Sequence, residues 1–246
     1  MINLMHGDCL ELMKTIDDKS VDMILCDLPY GCTKSRNWDS VIPFKPLWEQ
    51  YNRIIKDNGA VVLFGIEPFS SELRVSNLKN YRYDYIWKKN RPTGFLNANR
   101  MPIRAHEMIS VFYKKLPQYN KQMRCGFKPY SITKKNSESD LYGNYKDVIC
   151  TSVNGERYPI SILEFPCINQ KDRTHPTQKP VALLEYLIRT YTNEYDIVLD
   201  NCMGSGSTGV ACKNLNRGFI GIEKDDNYLT SPKIELKTVI PNNHKE

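Results

Sequence analysis

One stretch near the C-terminus, Asp200-Asn201-Cys202-Met203-Gly204-Ser205-Gly206-Ser207-Thr208-Gly209, constrains what this chain can fold into more than any other. A short apolar run, residues 197–200, precedes it, and a segment with helical periodicity, residues 207–215, follows. Gly204, Gly206 and Gly209 fit a G-x-G-x-x-G spacing between a buried strand and a helix. Glycines at these places let the backbone turn sharply and approach a ligand, and the helix N-terminus beyond them attracts negative charge. A further strand-like run, residues 218–222, leads to Glu223, where a carboxylate can accept hydrogen bonds from both hydroxyls of a ribose. The spacing admits three readings: a tight structural turn, a nicotinamide dinucleotide site, or an S-adenosylmethionine site. Only 37 residues follow Gly209. That is too few to complete a doubly wound sheet after its first unit, which argues against the dinucleotide. The rest of the sheet must come from residues earlier in the chain.

Those earlier residues read as strands at 21–26 and 60–64 and helices at 44–56 and 67–78, with Asn58-Gly59 as a helix stop. Residues 181–191 read as a further helix. The alternation predicts an α/β fold with a mostly parallel sheet. Asp27-Leu28-Pro29-Tyr30 follows directly on the strand at 21–26, and ligands of open α/β sheets bind beyond the carboxyl ends of strands. The turn offers a carboxylate, a backbone carbonyl before a proline, and an aromatic ring. Asp27 and the Leu28 carbonyl can accept hydrogen bonds from one amino group while Tyr30 stacks on the heterocycle that carries it. The alternative is an ordinary X-Pro turn with a packed tyrosine.

Charge separates the middle of the chain from its ends. Between Lys88 and Lys135 there are twelve basic residues and a single acid, Glu107, about +11, on a chain whose net charge is +6. A basic block on an acidic body suggests a polyanion-binding surface, and Lys114-Lys115 is a candidate pair for phosphate contact. Residues 88–174 show little periodicity apart from a strand at 107–113, and are read as an insertion that leaves the sheet and returns near His175. Eight cysteines form no CxxC pair and do not lie near histidines at zinc-ligand spacing, so free thiols and no metal are expected. No apolar run reaches membrane-spanning length and no secretory pattern opens the chain. A cytoplasmic protein is the expectation.

An Asp-Pro-Pro-Tyr-type turn early, a basic middle and a glycine-rich loop late together resemble the beta-class DNA amino-methyltransferases, the N6-adenine and N4-cytosine family. The resemblance covers roughly residues 3–87 and 175–228. It implies a Rossmann-like methyltransferase sheet with permuted motif order: a catalytic S-adenosylmethionine-binding domain of residues 1–87 and 175–246, interrupted by a target-recognition insertion of residues 88–174. Asp27, Leu28, Pro29 and Tyr30 fall on the family's catalytic turn. Gly7-Asp8-Cys9 resembles the element that reads the cofactor's adenine. His175-Pro176-Thr177-Gln178-Lys179-Pro180 resembles the element beside the cofactor's methionine part. The resemblance thus implies a cofactor set of Asp8, Cys9, Asp27, Lys179, Asp200, Cys202, Met203, Gly204, Ser205, Gly206, Ser207, Thr208, Glu223 and Lys224. Leu28 stands where the family has proline, which implies a less rigid turn. Asn201 and Cys202 replace Pro and Phe, and Pro232 interrupts what is usually a final helix.

The activity implied is methyl transfer from S-adenosylmethionine to the N6 amine of adenine in double-stranded DNA, within a restriction-modification system and by base flipping. The N4 amine of cytosine is the alternative, less favoured because cytosine-amino relatives more often begin the turn with serine. A catalytically inactive DNA-binding relative is a second alternative. A zinc base deaminase would need HxE and PCxxC; here His106 and Glu107 are adjacent, and Pro166-Cys167 has no second cysteine. Removal of Glu223 is expected to weaken cofactor binding with little effect on the melting temperature. The sequence leaves room for a homodimer.

Overall fold

Strand β2 (Val21–Cys26) is apolar throughout except for Asp22, and its last four residues are buried on both faces. Such a run suits the middle of a parallel sheet covered on both sides. In the computed structural model, which describes residues 1–32, 39–134, 147–168 and 178–225, β2 lies near the centre of an eight-stranded sheet. The N-terminal elements are β1 (Ile2–His6), α1 (Cys9–Met13), β2, α2 (Phe44–Ile54), β3 (Ile55–Gly65) and α3 (Phe69–Ser76). Then come β4 (Tyr81–Thr93), β5 (Arg104–Phe112), β6 (Tyr130–Lys134), β7 (Val148–Ser152) and β8 (Ile162–Glu164). The C-terminal elements are α4 (Val181–Tyr191), β9 (Ile197–Asp200), α5 (Ser207–Asn214) and β10 (Gly218–Glu223). The sheet order is β1-β10-β9-β2-β3-β5-β4-β8, and among these strands β5 alone runs against its neighbours.

Alternate residues of the central strands feed two cores. Met23, Leu25, Val62 and Phe64 pack with Leu183, Leu187 and Ile188 of α4 and Ala211 and Cys212 of α5. Ile24, Cys26, Val61 and Leu63 pack with Met13 of α1, Leu47, Trp48 and Tyr51 of α2, and Phe69 and Leu73 of α3. The result is an α/β/α sandwich of the expected Rossmann-like class, with its cofactor-side strands drawn from both ends of the chain. No helix among the described residues is long and apolar enough to cross a membrane.

The chain divides into two compact units, Lys121–Ile160 and the remainder. The smaller unit is built on the antiparallel pair β6 and β7, with Tyr130 opposite Ser152 and Lys134 opposite Val148. Arg124 and Arg157 pair through their backbones, and the Arg157 guanidinium lies 4.4 Å from the Tyr130 ring centroid. Part of the stretch expected as an insertion, 88–174, lies in the larger unit. Residues 81–93 and 104–112 form a long antiparallel pair within the main sheet, and residues 162–164 add an edge strand to it. The aromatic alternation Tyr81, Tyr83, Tyr85, Trp87 is the period-2 signal that marks β4. The polar run after it crosses an irregularity: Lys88 pairs with His106 and Thr93 with Arg104, with a register shift between them.

A second boundary also moves. Helix α2 ends at Ile54 and β3 begins at once, so Asn58-Gly59 lies inside a strand. Glycine is required there by close approach: a Cβ on Gly59 would sit 2.7 Å from the Asp22 carbonyl oxygen and 2.5 Å from Ile55 Cγ1. Gly59→Ala is expected to lower stability by about 1–3 kcal/mol through that overlap. Thermal or urea unfolding checks it, and an unchanged midpoint would show that β2 and β3 can part without cost.

Candidate active site

From β2 the chain crosses to β3 on one side, while β9 pairs with β2 on the other. This reversal of strand order is where an open α/β sheet binds its ligands. The loops after β1, β2, β9 and β10 open at the same end of the sheet and border a cavity of about 1060 Å3. Every residue of the expected catalytic and cofactor sets borders it except Gly206. Gly206 instead makes the turn into α5, with φ of 74°, and Gly204 takes φ of 49°. Both lie in the left-handed region that favours glycine.

Glu223 organises the cofactor side. One carboxylate oxygen accepts the Gly204 N–H at 2.8 Å, and the other accepts the Lys224 and Asp225 N–H groups, each at 2.9 Å. Strand β1 is tied in beside it by the bond from Gly7 N–H to the Glu223 carbonyl, 2.9 Å. That bond brings Asp8 next to Glu223; the Asp8 side chain caps α1 through the Leu10 N–H, 2.9 Å. Asp200 holds the other end of the loop. Its oxygens accept the Thr208 hydroxyl at 2.6 Å and the Cys202 N–H at 3.2 Å. Burial pushes the Asp200 carboxyl up to about 6. Asn201, in place of the family's proline, is buried and accepts a 2.5 Å hydrogen bond from the Tyr51 hydroxyl. This fixes the loop by a different means.

The turn after β2 is equally constrained. Leu28 is 3% exposed and packs into the core with Phe69, so the side chain anchors the turn that the missing proline would have stiffened. Asp39 accepts the backbone N–H groups of Tyr30 and Gly31, both at 2.9 Å. The Tyr30 hydroxyl donates to Asp27, and the Tyr30 ring lies 5.0 Å from that of Phe69.

Beneath Asp27 lies a buried group of four charges. Lys179, just before α4, pairs with Asp27 and stands 3.4 Å from Glu107 of β5, while Lys89 of β4 pairs with Glu107. Two carboxylates and two ammonium groups balance, as buried ions require. Burial and the nearby Glu107 raise the Asp27 carboxyl against the opposing pull of Lys179. For Glu107, burial acts upward, but Lys179 and Lys89 outweigh it and hold the group below the usual range. Burial, with the negative charge of Asp27, keeps the Tyr30 hydroxyl protonated. The nearby thiols are inert: burial raises Cys26 to about 12, and hydrogen bonding between thiols together with burial raises Cys9 and Cys202.

Several side chains that border the cavity are also engaged within the chain. Lys179 reaches Asp27 and Glu107, and Asp200 is engaged within its own loop. Lys89 is buried in an ion pair and unavailable to a phosphate. Lys114 and Lys115 lie beyond the end of β5, where they meet the Asn52 carbonyl at 3.5 Å and Asp57 at 3.3 Å. Because β5 is antiparallel, that is the end of the sheet opposite the cavity, so this pair does not border the site. Asp39, Lys89 and Glu107 were not singled out for the site. Glu107 carried a signal as the lone acid in a basic block. His175, Pro176, Thr177 and Pro232 lie outside the described residues, as does Lys135.

The comparisons with known proteins agree with this geometry. A family described as DNA methylase, of the N6/N4 type, matches residues 21–233. Type II methyltransferase M2.MboI of Moraxella bovis is 27% identical over 97% of this chain and 89% of its own length. Type II methyltransferase M.HinfI of Haemophilus influenzae is 27% identical over 97% and 69%. The crystal structure of the M1.HpyAVI–SAM complex is 29% identical, covers 93% of this chain and 96% of its own, and superposes with a TM-score of 0.61. The PvuII cytosine-N4-specific DNA methyltransferase, at 16% identity and a TM-score of 0.66, shares the fold. The chain belongs to the N6/N4 DNA methylase family and is an S-adenosylmethionine-dependent DNA amino-methyltransferase.

Two substitutions test the cofactor side. Glu223→Ala leaves three backbone donors without their acceptor, so it is expected to lower the melting temperature as well as cofactor affinity, with a stability loss of about 1–3 kcal/mol. This corrects the expectation of unchanged stability. Calorimetry and thermal unfolding read the two effects, and loss of affinity alone would restore the purely ligand-facing role. The second concerns pH. A carboxyl whose folded pKa is raised contributes stability while protonated, complete below the ordinary 3.8 and lost as pH rises through about 6. Asp200→Asn carries no such charge, so its stability relative to the parent is expected to rise by up to about 3 kcal/mol between pH 4 and 6.5. Parallel stability curves across that window would show that the Asp200 charge is already compensated.

Proposed function

We propose that the chain is a site-specific methyltransferase acting on the N6 amine of adenine in duplex DNA. The observation that carries this reading is the convergence of the Asp27 turn and the Gly204–Glu223 cradle on one cavity. At about 1060 Å3 the cavity is at the upper end of ordinary ligand pockets, so a cofactor and one extruded nucleotide can share it. The residues suit S-adenosylmethionine. Glu223 and Asp8 offer acceptors to the adenosine hydroxyls and base, and Gly204 brings the backbone close without a side chain. The Ser205 and Ser207 hydroxyls, 3.2 Å apart, add polar groups to the loop. The cofactor supplies an electrophilic methyl carbon on a sulfonium.

The chain's own part is positioning, which can be worth about 7–11 kcal/mol. Asp27 and the Leu28 carbonyl accept hydrogen bonds from the target amine and aim its lone pair. Tyr30 offers its ring to the extruded base. Lys179 fixes the Asp27 carboxylate, and the raised pKa of Asp27 suits it to take the proton that the amine loses on methylation. The type II relatives support a specific target sequence, and Asp27 at the head of the turn supports adenine over cytosine. The smaller unit, residues 121–160, with the adjoining basic residues, is the candidate recognition region. Cytoplasmic residence follows from a DNA substrate, and assembly as a homodimer is compatible with the reading.

Incubation of mixed-sequence DNA with the methyl donor, followed by sequencing that separates N6-methyladenine from N4-methylcytosine, tests the base and the site together. N6-methyladenine in one sequence context is the expected result, and N4-methylcytosine alone would overturn the adenine assignment. Asp27→Ala is expected to lower transfer by at least about 100-fold while retaining cofactor binding, as loss of a positioned acid–base group does. Activity within a few-fold of the parent would move the chemistry away from this turn.

A further inference from the structure

The loop joining β4 to β5, residues 94–103, carries side chains that a surface loop has no structural use for. Every residue from 90 to 104 is exposed. Within ten residues the loop holds Phe95 at 81% exposure, Leu96 at 96%, Met101 at 57% and Ile103 at 44%. Its backbone is nonetheless well satisfied. A 3-10 turn at Phe95–Asn97 follows Gly94, and the N–H groups of Asn97, Ala98, Arg100 and Met101 are bonded within the loop at 2.8–3.0 Å. The loop therefore holds its shape while presenting apolar groups to the solvent.

Its place in the fold gives those groups an occupant. β5 runs opposite to β3, with Met108 beside Gly65, so Arg104 lies at the end of the sheet that carries Asp27. Arg91, Pro92, Thr93 and Arg104 border the catalytic cavity itself. From Lys88 to Arg104 the chain has five basic residues and no acid. An apolar tip between arginines at the mouth of a cavity that can admit an extruded nucleotide matches a stacked base pair between two phosphate backbones. A base can reach Asp27 only by leaving the duplex, and its departure opens a gap in the stack. Apolar side chains of this kind enter base steps and hold them apart.

We propose that residues 94–103 form a wedge, with Phe95 and Leu96 at its tip, that enters the duplex beside the target base and fills the space the base leaves. The proposal rests on the DNA-methyltransferase reading and adds to it the element that keeps the base out of the stack.

The test uses the full chain with Phe95→Ser/Leu96→Ser, and separately Met101→Ser/Ile103→Ser. These positions are exposed, so unchanged melting temperature and S-adenosylmethionine affinity are expected. Methyl transfer is measured on duplex oligonucleotides carrying the mapped site, with the target either paired or facing an abasic position, where extrusion costs less. The expected kcat/KM loss for the tip variant is at least about tenfold on the paired duplex and within about threefold of the parent on the abasic one. A 2-aminopurine at the target position should show a correspondingly smaller rise in fluorescence with the variant. Equal loss on both duplexes, or no loss on either, overturns the wedge. A loss accompanied by a change of oligomeric state also overturns it, because a second copy of the chain would then be what covers the tip. If the parent methylates no duplex at all, the DNA-methyltransferase reading fails and the wedge with it. An active parent with indifferent variants removes the wedge alone.

Discussion

The parallel pairing of β2 with β9 is the contact on which the site depends. Met23 pairs with Val198 and Ile24 with Leu199, although about 175 residues separate them in the chain. Without it, the turn at Asp27 and the glycine loop after Asp200 would end two unrelated strands. The pairing is secured at its base by Asp22, which accepts the Ile197 N–H at 2.9 Å and binds Lys56 at 2.6 Å. Above that anchor β2 is apolar to Cys26 and β9 is apolar up to Asp200, and the paired residues Met23, Ile24, Val198 and Leu199 are buried.

The four buried charges join halves of the fold that the sheet order would leave independent. Asp27 belongs to the turn after β2, Glu107 and Lys89 to the antiparallel pair β5 and β4, and Lys179 to the entry of α4. Each ion is tolerated in the interior only because the others are present. Removing any one leaves an uncompensated charge, which is far more damaging than the loss of a surface pair. The Asp27 carboxylate is therefore held within a group drawn from three other segments, and burial, Lys179 and Glu107 set its basicity.

Much of this was readable from residue order alone, and the reasons differ from place to place. The strands at 21–26 and 197–200 were legible because continuous apolar runs ending in a carboxylate and a turn have few other uses. The glycine loop was legible because left-handed backbone imposes a residue type, and Glu223 because it ends the strand that follows the loop's helix. The extent of β4 was not, since its second half begins Lys-Lys-Asn-Arg, a polar stretch that is paired at Lys88 and again only at Thr93. Asn58-Gly59 read as a helix stop because turn residues usually are; only the tertiary approach of Asp22 explains a glycine within β3. Lys179 and Glu107 could not be paired from sequence, because 72 positions separate them and charge alone does not reveal burial. Asp39 falls in the same class: its acceptor role exists only once the turn has folded back over it.

Glu223 has a consequence for how a ligand arrives. Its carboxylate binds three backbone N–H groups of the chain itself. The loop is thus ordered by folding, and a ligand entering it has little backbone freedom left to freeze. The ordering entropy that a floppy glycine loop would charge to every binding event has been settled once, when the sheet assembled. Exchange of spent for fresh cofactor then becomes a matter of breaking contacts with the ligand, while the cradle keeps its form from one turnover to the next.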